Sequence, residues 1–286
     1  MERKPLRRLL SAHGLLLLLL ILQACSVKPL YNNLDRLITW QAGEYLDLNR
    51  AQKASLRREL GTVLEWHRET HLTLYADYIA ELPRIYSDGV SAKMIEDLFD
   101  HLLIWGEEIE DQSLPLMSDV LLSLDEAQID HLESQFRSSN EDWLSVEQDE
   151  SLKEYQMGWA EEIEEGLERF TGRLNSDQLS YLEVKSLAYR PERALWVEYR
   201  RRWQEDFFEL LRSEKTQGFR AEFIELVENR EAYYGDEFEE VYESNLELSR
   251  EAAAHLLSNL TEKQIARFNK TLNDLSQDFR DLAQKK

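Results

Sequence analysis

The chain has 286 residues, of which 34 are Lys or Arg and 56 are Asp or Glu, so its formal charge at neutral pH is −22. This charge argues against a nucleic-acid partner, because such binding depends on neutralising phosphates, and it disfavours close docking on anionic lipid headgroups. Only ten Gly and five Pro interrupt a composition rich in helix-forming residues, which favours an all-α protein.

Residues 1–24 are typical of a secretory signal peptide. A basic segment, MERKPLRRLL, precedes an apolar run from Leu15 to Leu22 and then the sequence LQAC. That run is too short to cross a hydrocarbon core of about 30 Å, which takes roughly 20 residues of helix, so a transmembrane anchor is disfavoured. The segment holds four basic residues and one acid, so the chain without it carries 30 basic and 55 acidic residues, a formal charge of −25.

LQAC resembles the lipobox of bacterial lipoproteins, with Leu22 at its start and Ala24 directly before Cys25. The resemblance implies cleavage after Ala24, diacylglycerol on the Cys25 thiol and acylation of the new amino terminus, which together give stable anchoring. Cys25 is the only cysteine, so lipidation would leave no thiol for disulfide chemistry; the alternative is a buried free cysteine after an ordinary signal. Ser26 rather than Asp follows, which by the same resemblance indicates the periplasmic face of the outer membrane.

Residues 25–30 are interpreted as the lipidated N-terminus with a short tether, and residues 31–286 as an all-helical periplasmic domain. Apolar residues recur three or four positions apart in four stretches: 56–82, 143–170, 195–211 and 265–282. Breaks are predicted near residues 83, 113–115, 138–140, 171–172, 190–191, 216–218, 234–235 and 258–259. This pattern predicts an elongated bundle of about eight to ten helices, often roughly 20 to 30 residues long.

A five-residue motif, Leu followed by a capping-type residue, two variable positions and Gln, occurs five times. Its copies begin at Leu48, Leu124, Leu144, Leu174 and Leu260. Four copies predict a helix start in which the second residue is the N-cap and the Gln is N3, the arrangement of a capping box. These predicted caps are Asn49 with Gln52, Asp125 with Gln128, Asn175 with Gln178, and Thr261 with Gln264.

The Leu of the motif and the residue after its Gln also have the spacing of a hydrophobic staple. Leu124 would pair with Ile129, Leu174 with Leu179 and Leu260 with Ile265, whereas Lys53 offers only its aliphatic stem to Leu48. The copy at Leu144 is interpreted as accidental, inside a helix that begins at Asn140.

The four helix starts are unevenly spaced along the chain. The first two copies start 76 residues apart and the last two start 86 apart, which suggests two similar halves, 31–140 and 141–286. Leu-Thr-x-x-Gln is also the repeated motif of Spy-type periplasmic chaperones, small all-helical proteins that cradle unfolded clients, although only the copy at Leu260 keeps the Thr. This resemblance implies an alternative function, a chaperone-like binder of unfolded or extended clients.

The segment from Tyr31 to Leu82 resembles the start of an uncharacterised family of Gram-negative all-helical lipoproteins. Three stretches carry the resemblance: Tyr31 to Asp35, Leu48 to Gln52, and Trp66-His67-Arg68. Where the family pattern has an acidic-Leu-Pro step, this chain has His71-Leu72-Thr73. The resemblance implies no activity.

HRETH is the one stretch with metal-ligand spacing, because His67 and His71 lie four residues apart on a helix. A zincin helix has Glu directly after the first His, but here that residue is Arg68, and no second His cluster supplies a third ligand. The favoured interpretation is therefore two partly buried histidines beside Trp66 on the first long helix. A metal-dependent hydrolase using these two residues is a third hypothesis.

The densest basic and aromatic stretch is YRPERALWVEYRRRWQEDFF, residues 189–208. Local Arg–carboxylate pairing with inward-facing aromatics is the favoured interpretation; the alternative is a groove for anionic or extended peptide partners. No Gly-rich phosphate loop, GxSxG elbow or Cys nucleophile is present in the sequence. The sequence thus predicts a non-enzymatic structural or interaction module without a cofactor, attached to the membrane through Cys25 and in contact with envelope proteins.

Overall fold

The computed structural model describes residues 27–214 and 218–285, apart from the side chains of residues 146–149. Within these ranges the protein is an all-α bundle of twelve α-helices and one 3₁₀ turn, without a strand. The predicted fold class is confirmed, with two more helices than the upper end of the predicted number. None of the described helices is both long enough and apolar enough to cross a membrane. The predicted signal peptide and Cys25 lie outside the described residues.

The helices have the following bounds in chain order. They are α1 Val27–Tyr31, α2 Leu34–Tyr45, α3 Arg50–Thr70, α4 Leu72–Ile85, α5 Ala92–Leu122, α6 Glu126–Asp149, α7 Leu152–Thr171, α8 Ser176–Ser186, α9 Arg193–Arg212, α10 Phe219–Glu228, α11 Asp236–Ser258 and α12 Glu262–Ala283, with the 3₁₀ turn Arg230–Tyr233 between α10 and α11.

Capping boxes begin α3, α6, α8 and α12, at the four motif copies where the sequence predicts them. In each, the cap side chain accepts a hydrogen bond from the N3 amide, and the Gln side chain accepts one from the cap amide. A fifth box, Ser151 with Glu154, begins α7 and follows the same S/T-x-x-E rule, which would have found it. The motif copy at Leu144 lies inside α6.

Burial at the staple positions differs among the copies. Leu124 and Ile129 are both buried, with exposed fractions of 2% and 4%, in the same core cluster. By contrast, Leu179 and Ile265 stay 36% and 46% exposed, so their side chains add little buried apolar area. The N3 Gln is buried in all three of these copies, so the inward position of the Gln does not account for the difference in burial of the residue after it.

Two predicted helix breaks are wrong. α5 continues through the break predicted at residues 113–115; Pro115 removes one backbone donor, but Leu114 and Leu116 on either side of it are buried in the core. α6 continues through the break predicted at residues 138–140, because the Asn140 side chain donates to Gln204 Oε1 (2.7 Å) in α9 rather than capping a helix. Helix α6 therefore begins at Glu126 and not at Asn140.

The helix predicted over residues 56–82 is instead two helices that meet at His71. The Thr70 hydroxyl contacts both Trp66 O (2.7 Å) and His71 Nδ1 (2.7 Å). The hydroxyl thus shares a carbonyl of the last turn of α3, while the backbone bonds from His71 N to His67 O and from Tyr75 N to His71 O (both 2.9 Å) continue across the junction.

The first and last described helices lie together in the bundle. α12 packs along α4 and also against α1, while α9 packs along α6 and α5 contacts α3, α10 and α11. Residues 27–30, predicted to belong to a short tether, are helical, and Val27 is buried. The described part of the chain is therefore already helical at Val27.

Candidate functional site

The first region of interest is where α1 meets the C-terminal end of α12, which we call the anchor end. Val27 and Tyr31 are each only 4% exposed. Lys28 Nζ lies 2.9 Å from Asp278 Oδ1 and 2.5 Å from Asp281 Oδ2. Apolar burial and two ion pairs thus hold α1 on α12, and the position of the chain just after Cys25 is fixed relative to the body.

His67 lies between two tyrosines at the anchor end. Its Nδ1 is 2.8 Å from the Tyr31 hydroxyl, and its Nε2 is 3.1 Å from the Tyr75 hydroxyl. The Tyr31 hydroxyl also donates to Leu64 O (3.3 Å). With that proton directed at Leu64, the imidazole donates from Nδ1 and accepts at Nε2, so a second proton would remove the acceptor that Tyr75 uses.

His71 stacks on His67 with ring centroids 5.3 Å apart and lies beside Trp66. It is more buried than predicted, at 2% exposed, and its Nε2 lies 2.8 Å from Glu108 Oε2. Its Nδ1 contacts the Thr70 hydroxyl. His71 lies at the junction of α3 and α4, and its bond to Glu108 connects this junction to α5.

All four ring nitrogens of the two histidines therefore have hydrogen-bond partners within the protein. Among the described residues, no group of three or more His, Cys, Asp or Glu side chains is arranged to hold a metal ion. Burial, with smaller contributions from the charges of His71 and Arg68, lowers the pKa of His67 from 6.5 to about 4. The neutral imidazole of His67 joins α1, α3 and α4 through the two tyrosines, and the bond between His71 and Glu108 connects this cluster to α5.

The first glutamine pair joins the starts of α3 and α6. Gln52 Nε2 donates to Gln128 Oε1 (3.0 Å), and Gln128 Nε2 donates to Gln52 Oε1 (2.9 Å). The remaining donor of Gln52 reaches Ser123 O, and that of Gln128 reaches Asp47 O, both at 2.8 Å. Each of these carbonyls belongs to the residue directly before the motif Leu of the partner copy.

The second glutamine pair, Gln178 with Gln264, repeats this arrangement at the starts of α8 and α12. The two side-chain amides bond each other at 3.3 and 3.0 Å. Gln178 Nε2 also donates to Asn259 O, and Gln264 Nε2 to Arg173 O, both at 3.1 Å. Asn259 and Arg173 again directly precede the motif Leu of the partner copy. We call this region, with α8, the distal end.

The sequence spacings of 76 and 86 residues are the separations of the paired glutamines. In each pair the two helix starts make the same contacts with each other, as if related by a local two-fold axis. Each glutamine side-chain amide donates to the partner glutamine and to one backbone carbonyl. The glutamines thus have a tertiary role in addition to capping. Sequence reasoning found the caps but not the pairing.

Part of the basic and aromatic stretch of α9 is used in local pairing and inward packing, and part of it lines a groove. Trp196 and Tyr199 pack inward with Tyr234 and Phe238, and Arg193 pairs with Glu150 at 2.9 Å, as the favoured interpretation has it. Arg201, in contrast, lines an open cleft between α6 and α9.

This α6–α9 cleft has a volume of about 480 Å³, within the range typical of ligand sites. Phe136 and Phe208 form an aromatic wall, with ring centroids 5.6 Å apart. The buried Oδ1 of Asn140 in its lining has no hydrogen-bond partner among the described residues. Charged side chains of both signs surround it: Glu133, Arg137, Arg201, Glu205, Glu209 and Arg212.

Sequence reasoning missed the partners that these groups acquire from distant helices. Glu108, which faces His71, and Tyr75 carried no recognisable pattern. The same holds for Arg230, which is 4% exposed and donates to Glu110 Oε1 at 2.5 Å. A buried arginine is rare unless paired, but nothing local in the sequence indicates that Arg230 is buried.

The fold and these contacts define an all-α bundle whose helix starts are joined by glutamine pairs. A family of unknown function, DUF6279, matches the chain over residues 44–239, and the chain belongs to this family. The prediction of an uncharacterised family is thus confirmed; the matched range includes the segments at Leu48 and Trp66 but not the one at Tyr31. No curated protein and no solved structure matches the chain.

Proposed function

We propose that this protein is a lipid-anchored envelope protein on the periplasmic face of the outer membrane, where it acts as a non-enzymatic structural or interaction module. Its partners are the bilayer, through acyl chains on Cys25, and other envelope proteins. The lipobox-like sequence LQAC supports the anchor.

The observation that carries the proposal is the position of α1. Val27 is buried against the body two residues after Cys25, and Lys28 pairs with Asp278 and Asp281. Cleavage after Ala24 would leave only Cys25 and Ser26 in front of Val27. A lipid on Cys25 would thus be attached two residues before a side chain that is buried in the bundle.

Labelling with radioactive palmitate tests the anchor. The full chain, expressed with its signal in a Gram-negative host, is expected to incorporate label, and Cys25→Ala is expected to lose it. Ser26→Ala is the matched control and should stay labelled, because the acylated atom is unchanged. Label that persists in Cys25→Ala would refute the proposal.

Crosslinking in intact envelopes tests the interaction module. The lipidated wild type is expected to yield discrete crosslinked partners, and the partners should be recovered less well with Cys25→Ala, which lacks the anchor. Turnover of an envelope substrate by the purified protein would contradict the non-enzymatic part of the proposal.

The α6–α9 cleft favours a second candidate, a chaperone-like binder of extended clients. Its aromatic wall, Phe136 and Phe208, could take an apolar side chain, and the surrounding charges of both signs suit peptides of mixed sequence. Arg137 and Arg201 have no ion pair among the described residues, so they are available to a client. The glutamine motif itself does not favour this candidate, because its polar atoms are used within the bundle.

Suppression of client aggregation tests this candidate. The fragment from residue 26 onward is expected to suppress aggregation of a denatured model protein, and Arg137→Glu with Arg201→Glu should weaken the effect several-fold. Lys263→Glu with Lys285→Glu is the matched control, since it makes the same change in net charge at exposed positions outside the cleft. Equal suppression by both double variants would exclude the cleft as the binding site.

A further inference from the structure

Helix α2 has apolar residues on its outer side as well as its inner side. Inward, Ile38, Ala42 and Leu46 pack against the core. Outward, Leu37 is 43% exposed and Trp40 is 66% exposed, and they are one helical turn apart. Tyr45 is 41% exposed but points about 140° away from Trp40 around the helix, toward Arg200 of α9, with which it interacts electrostatically. Leu37 and Trp40 together form an exposed apolar patch on the outer side of α2.

The α2 face lies close to the predicted lipid attachment. Leu34, at the start of α2, packs against the cluster that contains Val27 and Tyr31. Trp40 is six residues further along the helix, about 9 Å at 1.5 Å per residue. Cys25 is two residues from Val27, at most about 7 Å. The acyl chains and Trp40 therefore reach the bilayer from the same region of the molecule.

The charge of α2 also fits a membrane surface. The chain as a whole is strongly acidic, which disfavours contact with anionic headgroups. On the exposed side of α2, however, Arg36 offsets Glu44, and Gln41 is neutral. Trp and Tyr are the residues that prefer the boundary between headgroups and acyl chains. The α2 face is therefore an exception to the repulsion expected from the net charge.

We propose that the outer face of α2, with Leu37 and Trp40, lies on the headgroup region of the bilayer that holds the Cys25 acyl chains. This inference rests on the proposed lipid anchor. Because α1 is fixed to α12 by burial and ion pairs, the body cannot swing freely about the anchor. The lipid and the α2 face together set one orientation of the protein on the membrane.

Val184 on helix α8, at the distal end, supplies an internal control because its side chain is about as exposed as that of Trp40. Val184 is 69% exposed, closely matching Trp40. The second glutamine pair places the start of α8 beside Gln264, whereas α1 contacts Asp281 near the other end of α12. About 25 Å of helix separates those two residues. Position 184 therefore reports on a surface of similar exposure away from the anchor.

Site-specific fluorescence tests the proposal. Because Cys25 is the only cysteine and its thiol would be acylated, Trp40→Cys, Leu37→Cys and Val184→Cys can each be labelled singly with an environment-sensitive dye. The full-length lipidated protein is reconstituted into vesicles of phosphatidylethanolamine with a minor fraction of phosphatidylglycerol. Quenching by lipids that carry a spin label near the headgroup is then compared between positions.

We expect labels at positions 37 and 40 to be quenched several-fold more strongly than the label at 184, with a blue-shifted emission. Two positions on one face keep the test valid should one variant fail to fold. Quenching at 37 and 40 no stronger than at 184, in protein that floats with the vesicles, would overturn the α2 contact and leave the anchor standing. If the full-length protein made in the Gram-negative host does not float with the vesicles, both the lipid anchor and the α2 contact would be overturned.

Discussion

The anchor end and the distal end of α12 both contain buried polar groups that join helices, but the groups differ in kind. At the anchor end, His67 is held between the Tyr31 and Tyr75 hydroxyls. At the distal end, Gln178 and Gln264 bond each other and two backbone carbonyls. An amide offers the same donors and acceptors at every ordinary pH, whereas an imidazole loses its acceptor when it binds a second proton. The junction that fixes α1 is thus the one that acid can weaken.

The largest expected effect is a loss of stability with falling pH, which His67 at the anchor end causes and the glutamine pair at the distal end does not. The pKa of His67 is lowered to about 4 by burial, while in the unfolded chain it is near 6.5. Between pH 6.5 and about pH 4, His67 is therefore protonated in the unfolded state but not in the folded state, so the free energy of unfolding falls as the pH is lowered through this range. At about 1.4 kcal/mol per pH unit, this loss reaches roughly 3 kcal/mol, measurable by urea unfolding across this range.

The control for the pH prediction is His67→Gln, which keeps a polar side chain but does not titrate. All other residues are the same in the two proteins, so the difference between the two curves isolates the contribution of His67. The variant should be less stable at pH 7.5 and should lose less stability on acidification. Parallel curves would show that His67 does not distinguish the anchor end.

The next effect concerns the distal end. Gln264→Leu removes the side-chain amide that donates to Arg173 O and to Gln178 Oε1. Because these buried acceptors are left unsatisfied, the free energy of unfolding should fall by about 2 kcal/mol. The loss should be the same at pH 7.5 and pH 5, because no titrating group is removed. Gln284→Leu, at an exposed position without a side-chain hydrogen bond, is the control and should change stability little. If the loss of stability in Gln264→Leu differed between pH 7.5 and pH 5, the distal end would not be the pH-independent junction that we expect.

A smaller effect is expected from the cap of the same helix. Thr261→Ala deletes the hydroxyl that accepts from the Gln264 amide and should cost about 1 kcal/mol. Thr261→Asn should retain nearly full stability, because Asn is the cap at two other copies of the motif. Thermal unfolding of the three proteins would show the order. Equal losses for Ala and Asn would mean that capping does not stabilise this start.

The smallest effect is expected at the residue after Gln264. Ile265 is 46% exposed, so Ile265→Ala should change the free energy of unfolding by less than about 0.5 kcal/mol. Ile129 occupies the same motif position but is buried in the core, and Ile129→Ala should cost about 3 kcal/mol. Chemical denaturation of both variants measures the difference. Similar costs would mean that the staple contributes equally in both copies.

Local features of the sequence predicted much of the secondary structure. Helix starts at Asn49, Asp125, Asn175 and Thr261 depend on residues within one helical turn, so a pattern of five residues suffices to find them. The ends at Thr171 and Ser258 follow similarly from nearby Gly and Asn residues. Ser113 to Pro115 and Ser138 to Asn140 carried local break signals, yet α5 and α6 continue, because burial and a bond from Asn140 to Gln204 outweigh local preference.

By itself, then, the sequence determined the all-α class, the four capped helix starts and the charge that argues against nucleic acid. Only the tertiary structure decided which motif copies bond each other, that His71 lies at a helix break, and that α1 is packed on α12. The physical reason is range. Capping acts between neighbours along the chain, whereas the glutamine pairs join residues 76 and 86 positions apart, and the folded packing alone brings such residues into contact.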